Sequence, residues 1–176
     1  MDLNRYFEKG VSIKEFECLL GDNQKLHELH YRKFSPNPEI VQNIKSLEPA
    51  RILVITEPWC GDSLAILPVI KKISEINGNW EMKVVLRDEN PELIDNFLTN
   101  GGRAIPVFLF LKKDNSLLFR WGPRPNAAQD IFENHRELIN SREVRKEEVM
   151  KKIRRFYSGD RGNEIQKEIV GKLAKF

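Results

Sequence analysis

The chain has 176 residues, 40% of them hydrophobic and 31% charged, which suits a single buried core with additional helices around it. No apolar run reaches the roughly eighteen residues of a membrane span, and no charged start leads into an apolar secretory segment, so a membrane anchor or exported precursor is not expected. Two cysteines, Cys18 and Cys60, exclude a disulfide framework and point to a reducing, cytoplasmic setting. The net charge of +3 is concentrated in residues 141–176, which hold eleven Lys/Arg against six Asp/Glu. No nucleic-acid motif or zinc-ligand spacing accompanies that excess, so runs such as Lys151–Arg155 read as a solvated helix face.

Residues 1–50 carry helical patterns. Leu3, Tyr6 and Phe7 form a short apolar face, and Ser12 with Glu15 matches a capping box. Ile13, Phe16, Leu19 and Leu20 continue at helical spacing, which predicts a buried packing role for Cys18 between them. Leu26, Leu29 and Tyr31 suggest another helix, broken at Pro36–Pro38. Ile40, Ile44 and Leu47 form a third stripe ending near Pro49. His27 and His30 are three apart and lack a third ligand, so they are read as bordering the packing surface.

The pattern then changes. Ile52–Ile55 is a continuous apolar run, as in a buried central strand. Ser63–Ile76 has helical periodicity around an internal Pro68, and Met82–Leu86 reads as a second strand. Trp80 is placed near the start of that strand. Pro91 opens a short helix with Leu93, Ile94, Phe97 and Leu98 as its buried side. Ile105–Leu111 and Leu117–Trp121 flank a polar turn and predict an antiparallel hairpin, with Trp121 packing at its end. Two βα units followed by a hairpin imply a mixed sheet covered by helices. Beyond Gly122-Pro123 the chain is helical, with a break around Ser158–Asn163 and a last apolar set of Ile165, Ile169, Leu173 and Phe176. Lys71, Lys72, Lys112 and Lys113 read as solvent-facing charge.

The chemistry concentrates where the first strand hands over to a helix, at Trp59-Cys60-Gly61-Asp62-Ser63. A cysteine at a helix start meets free backbone N–H groups and the positive end of the helix dipole, both of which favour thiolate. This segment resembles the Trp-Cys-Gly-Pro-Cys motif of the thioredoxin superfamily at its tryptophan, first cysteine and glycine. Pro68 falls where that family kinks its active-site helix, and Gly102–Pro106 resembles the stretch that carries its cis-proline. Residues 51–122 resemble the family's catalytic core, and residues 1–140 the extended fold. The resemblance implies an α/β thioredoxin-like fold: a central mixed sheet flanked by helices. It divides the chain into an N-terminal helical extension (1–50), a core (51–140) and a basic helical C-terminal extension (141–176).

It also implies roles. Cys60 is expected to be a solvent-accessible nucleophile, with Trp59 offering an apolar contact and the Ile105 backbone beside Pro106 pairing with an extended substrate. Ser63 stands where the family has its resolving cysteine. Its hydroxyl can bond to a sulfur but cannot attack a mixed disulfide, so a two-cysteine cycle at this motif is excluded. Asp62 replaces the family's proline and reads either as a charge–dipole contact or as a group steering a cationic substrate or receiving a proton; its charge opposes a nearby thiolate. Val54 stands where many thioredoxins carry a buried aspartate. Glu57 is near the motif with its direction open, and Arg103 is either a substrate contact or a surface charge. Cys18 remains the other conceivable resolver.

The expected activity is therefore thiol-disulfide exchange through Cys60, with Ser63 and Pro106 as supporting catalytic positions and Trp59, Gly61, Asp62 and Ile105 as the substrate contacts. The expected partners are a disulfide-containing protein or a low-molecular-weight thiol, with no resident cofactor or metal. The rival is a protein-binding adaptor that uses the same groove without redox chemistry.

Overall fold

A computed structural model describes residues 1–47 and 51–175. In chain order the elements are α1 (Leu3–Lys9), β1 (Val11–Ser12), α2 (Ile13–Cys18), α3 (Gln24–Lys33), α4 (Pro38–Ser46), β2 (Arg51–Thr56), α5 (Gly61–Asn77), β3 (Glu81–Leu86) and α6 (Pro91–Ile94). There follow β4 (Val107–Leu111), β5 (Leu117–Trp121), α7 (Asn126–Glu133), α8 (Arg136–Asn140), α9 (Lys146–Asp160) and α10 (Asn163–Leu173). The expected helix end at Pro49 and the apolar Phe176 lie outside the described residues.

The strands form a five-stranded sheet in the order β1-β3-β2-β4-β5. β2 runs parallel to β3 and antiparallel to β4, and β4 pairs antiparallel with β5, giving the mixed sheet. β2 and β4 are central and read Ile52-Leu-Val-Ile and Val107-Phe-Leu-Phe-Leu because both faces are covered by helices. Ile52, Val54, Phe108 and Phe110 point into the larger cluster, with α5, α9 and α10. Leu53, Ile55, Val107 and Leu109 point into the smaller one, with α1 and α6. The two-residue edge strand β1 had no sequence signal of its own, being too short to show an alternation.

Several local expectations hold. Ser12 caps α2 in a complete capping box with Glu15, and Pro68 lies inside α5. The turn between α9 and α10 falls at Arg161 and Gly162, both with positive φ. Gly162 is needed there, since a Cβ would press on the Val69 and Phe34 side chains.

Others are corrected. Cys18 is exposed, because the face of α2 that packs is the one bearing Phe16; Leu19 is exposed as well. On α3 it is His27 that is buried, with its Nε2 3.0 Å from Glu17 Oε1, while Leu26 faces solvent. α6 ends at Ile94, leaving Leu98 exposed. Lys71 and Lys72 are half-buried rather than solvent-facing: Lys71 pairs with Glu17 at 2.6 Å, and Lys72 donates to the carbonyls of Tyr31 and Phe34.

The C-terminal helices are packed into the molecule. Val149, Ile153 and Tyr157 recur every four residues and form the buried face of α9, while Lys151, Lys152, Arg154 and Arg155 stay in solvent. α10 is tied down by Glu168, which accepts from Trp121 Nε1 at 2.8 Å and from the Asn126 backbone N–H at 2.6 Å.

Candidate active site

β2 delivers the motif. Thr56 ends the strand, and the chain turns through Glu57-Pro58-Trp59 so that Cys60 becomes the N-cap of α5. The Cys60 N–H donates to the Glu57 carbonyl at 3.1 Å, and the Cys60 carbonyl accepts from the Leu64 N–H at 3.2 Å. The Glu57 carboxylate is turned inward, where it accepts the Asp88 N–H at 2.8 Å. Asn23, from the N-terminal region, braces the turn by donating to the Pro58 carbonyl at 3.3 Å.

The Cys60 sulfur sits at the helix start, as expected, but only 6% of the residue is exposed. Its Sγ donates to the Ile105 carbonyl at 3.5 Å, immediately before the cis Ile105–Pro106 bond. Burial pushes the thiol above its ordinary range. Hydrogen bonds from the Ser63 hydroxyl and backbone N–H pull it down, and the Asp62 charge pushes it up again. The expectation of a solvent-accessible thiol is thereby corrected: the sulfur is buried at the helix start, and desolvation opposes its ionisation.

Ser63 is 2% exposed, and its hydroxyl is paired with the Thr56 hydroxyl. When Thr56 donates to Ser63, the Ser63 proton is free to point at the Cys60 sulfur. Gly61 has an ordinary backbone and open space where a Cβ would stand, so no packing constraint demands glycine there. Val54 is fully buried in the apolar cluster beneath.

Asp62 is held internally. Its Oδ2 is 2.7 Å from Arg124 Nη2, and its Oδ1 accepts from the Tyr157 hydroxyl at 2.9 Å. Asp62 itself is 4% exposed. Arg124 is fixed in turn by the Phe132 ring, 4.9 Å below its guanidinium, and donates to Gln129 Oε1 at 3.2 Å. Burial and the Asp62 carboxylate drive the Tyr157 phenol well above its usual range, so it stays a protonated donor. The free steering charge suggested by the sequence is thus an internal ion pair. Neither Arg124 nor Tyr157 was singled out from the sequence. The four-residue spacing of Val149, Ile153 and Tyr157 marks the inward face of α9 but carries no hint of a carboxylate partner.

A groove of about 420 Å³ opens beside the thiol, bordered by Trp59, Cys60, Arg103, Ile105, Pro123 and Met150 among others. Trp59 is 58% exposed, with the Arg87 guanidinium 5.0 Å from its ring centre. Arg103 makes a two-point contact with Asp95 at 2.7 Å and remains a surface ion pair. Cys18 is not among the groove residues, and both cysteines are free. Among the described residues no cluster of three His, Cys, Asp or Glu is placed to hold a metal, and no helix is long and apolar enough to cross a membrane.

A mixed sheet with a cysteine capping the helix after its central strand, opposite an Ile–cis-Pro carbonyl, defines a thioredoxin-like protein. A family model described as thioredoxin matches residues 12–156, and the chain belongs to that family. Its fold is similar to that of a protein of unknown function from Pseudomonas aeruginosa, with 18% identity, a TM-score of 0.74 and coverage of 97% of this chain and 95% of the other. An HIV epitope-scaffold is similar to the same degree, with 18% identity, a TM-score of 0.73 and coverage of 98% of both chains. No curated protein matches the chain.

Proposed function

We propose that the protein carries out one-cysteine thiol-disulfide exchange through Cys60, in a reducing cytoplasmic setting. The observation that supports this most is the seating of the Cys60 sulfur, at the start of α5 and against the Ile105 carbonyl, on the edge of an open groove. In the first step the Cys60 thiolate attacks the small-thiol sulfur of a protein mixed disulfide. A new S–S bond joins Cys60 to the small thiol, and the protein sulfur leaves as thiolate. In the second step the thiolate of a further small thiol attacks the small-thiol sulfur bound to Cys60, giving a free small-molecule disulfide and returning Cys60 as thiolate. Ser63 donates a hydrogen bond to sulfur in both steps and has no means of ending the cycle itself. Trp59, Gly61 and the Ile105–Pro106 backbone border the incoming chain, while Asp62 sets the electrostatics behind the sulfur. The thiol gives up its bond to the Ile105 carbonyl when it ionises, freeing that carbonyl for a substrate N–H. No bound organic cofactor takes part.

A peptide carrying a glutathione mixed disulfide, supplied with excess free glutathione, tests the reading. Cys18→Ser should turn it over like the parent protein, and Cys60→Ser should lose all turnover above the uncatalysed rate. Full activity in Cys60→Ser would overturn the proposal. A second reading, capture of a protein partner without redox chemistry, is favoured by the burial of Cys60 beside the exposed Trp59. It predicts no covalent adduct on Cys60 under the same conditions.

A further inference from the structure

The pair Arg124 and Tyr157 reaches the site from outside the motif, Arg124 from the segment between β5 and α7 and Tyr157 from α9. Both end on the carboxylate of Asp62, two residues beyond Cys60 on the first turn of α5. A buried ion pair is weak evidence for stability in its own right, because an apolar replacement of similar volume often packs at least as well. Its location is the informative feature. A bare carboxylate so near a thiol opposes ionisation by about one to two pH units at the effective dielectric of a protein interior. A carboxylate matched by a guanidinium and a phenol opposes it far less.

We infer that Arg124 and Tyr157 are positioning residues of the Cys60 site, which fix and neutralise the Asp62 carboxylate so that its charge does not block formation of the Cys60 thiolate. The inference rests on the reading of Cys60 as the working thiol and assigns a role to the C-terminal extension: α9 completes the electrostatic surroundings of the nucleophile. The charged and titratable groups around Cys60 are Asp62 on its own helix, Glu57 in the turn before it, Arg124 and Tyr157 on the Asp62 carboxylate, and Arg87, Arg103, Glu133, Arg136 and Lys146 along the groove. Of the carboxylates, Asp62 is the one whose charge bears on Cys60, and Arg124 and Tyr157 are its two partners.

The test is titration of Cys60 in a Cys18→Ser background, read both by alkylation rate against pH and by the Cys60 Cβ chemical shift. Tyr157→Phe should raise the midpoint by about half a pH unit and Arg124→Met by about one. Adding Asp62→Asn should abolish the Tyr157→Phe increase and shrink the Arg124→Met increase to what loss of a nearby cation alone gives. A purely structural role would lower Tm and leave the midpoints where they were. Unchanged midpoints in the single variants, or increases that persist undiminished with Asn at position 62, would overturn the inference. If Arg124→Met does not fold, the Tyr157→Phe cycle and the doubly neutral Asp62→Asn/Arg124→Met protein decide the question. Failure of the exchange reading would show separately, as the absence of a mixed disulfide in a protein whose midpoints still shift as described.

Discussion

Cys18 and Cys60 stand at opposite ends of their helices and in opposite kinds of surroundings. Cys18 closes α2 on the solvent side, and its Sγ donates to the Lys14 carbonyl one turn back, at 3.4 Å. That bond is to its own helix, and among the described residues no group beyond α2 is bonded to the sulfur. Cys60 opens α5 from inside the protein, where β2, the Ile105 segment, Ser63 and the Asp62–Arg124–Tyr157 group all converge. The difference teaches that accessibility and preparation are separate properties of a thiol. The exposed sulfur meets any reagent first. The buried one is held in a defined direction, by groups that change its ionisation, beside a groove of about 420 Å³.

The sharpest way to break this comparison is to remove each sulfur in turn; Cys60→Ser should abolish exchange while Cys18→Ser leaves it intact. Next in size is the support beneath Ile105. Gly122 has φ 108°, and a Cβ there would collide with the Pro106 carbonyl oxygen. Gly122→Ala should therefore cost more than about 1 kcal/mol of stability in chemical unfolding and weaken exchange together with it. A variant of parental stability would show that the close approach is not needed. Ser63→Ala should act more gently. It removes the hydroxyl hydrogen bond that lowers the Cys60 pKa, so the alkylation midpoint should rise by about half to one pH unit with the fold unchanged.

The smallest effect lies on the Cys18 side of the molecule, at His27. Burial holds this histidine below its ordinary range, against the pull of Glu17. Its folded pKa is depressed, so its contribution to stability is present above the unfolded value of about 6.5 and is lost as pH falls through the folded one. Tm should decline below about pH 6.5, and His27→Gln should flatten that decline. An identical decline in the variant would place the acid sensitivity elsewhere.

Much of the frame was legible from pattern. The central strands announce themselves because Ile52–Ile55 and Val107–Leu111 are buried on both faces, and the turn at Cys60 is marked by the change from continuous to helical spacing. Single-residue exposure was not legible. Phe16 and Cys18 lie two apart on a helix and so face different ways, and which way wins depends on where α2 meets the sheet. His27 is buried because Glu17, ten residues earlier, supplies a partner. The fate of Asp62 was hidden for the same reason: its partners lie 62 and 95 residues later in the chain, and only the fold brings them together.

The most direct measurement is to expose the native protein briefly to oxidised glutathione and locate the adduct by peptide mass. The account predicts a glutathione mixed disulfide on Cys60 that free glutathione removes, forming on Cys60 even with Cys18 replaced by serine. Modification confined to Cys18, with Cys60 untouched until the protein unfolds, would contradict it.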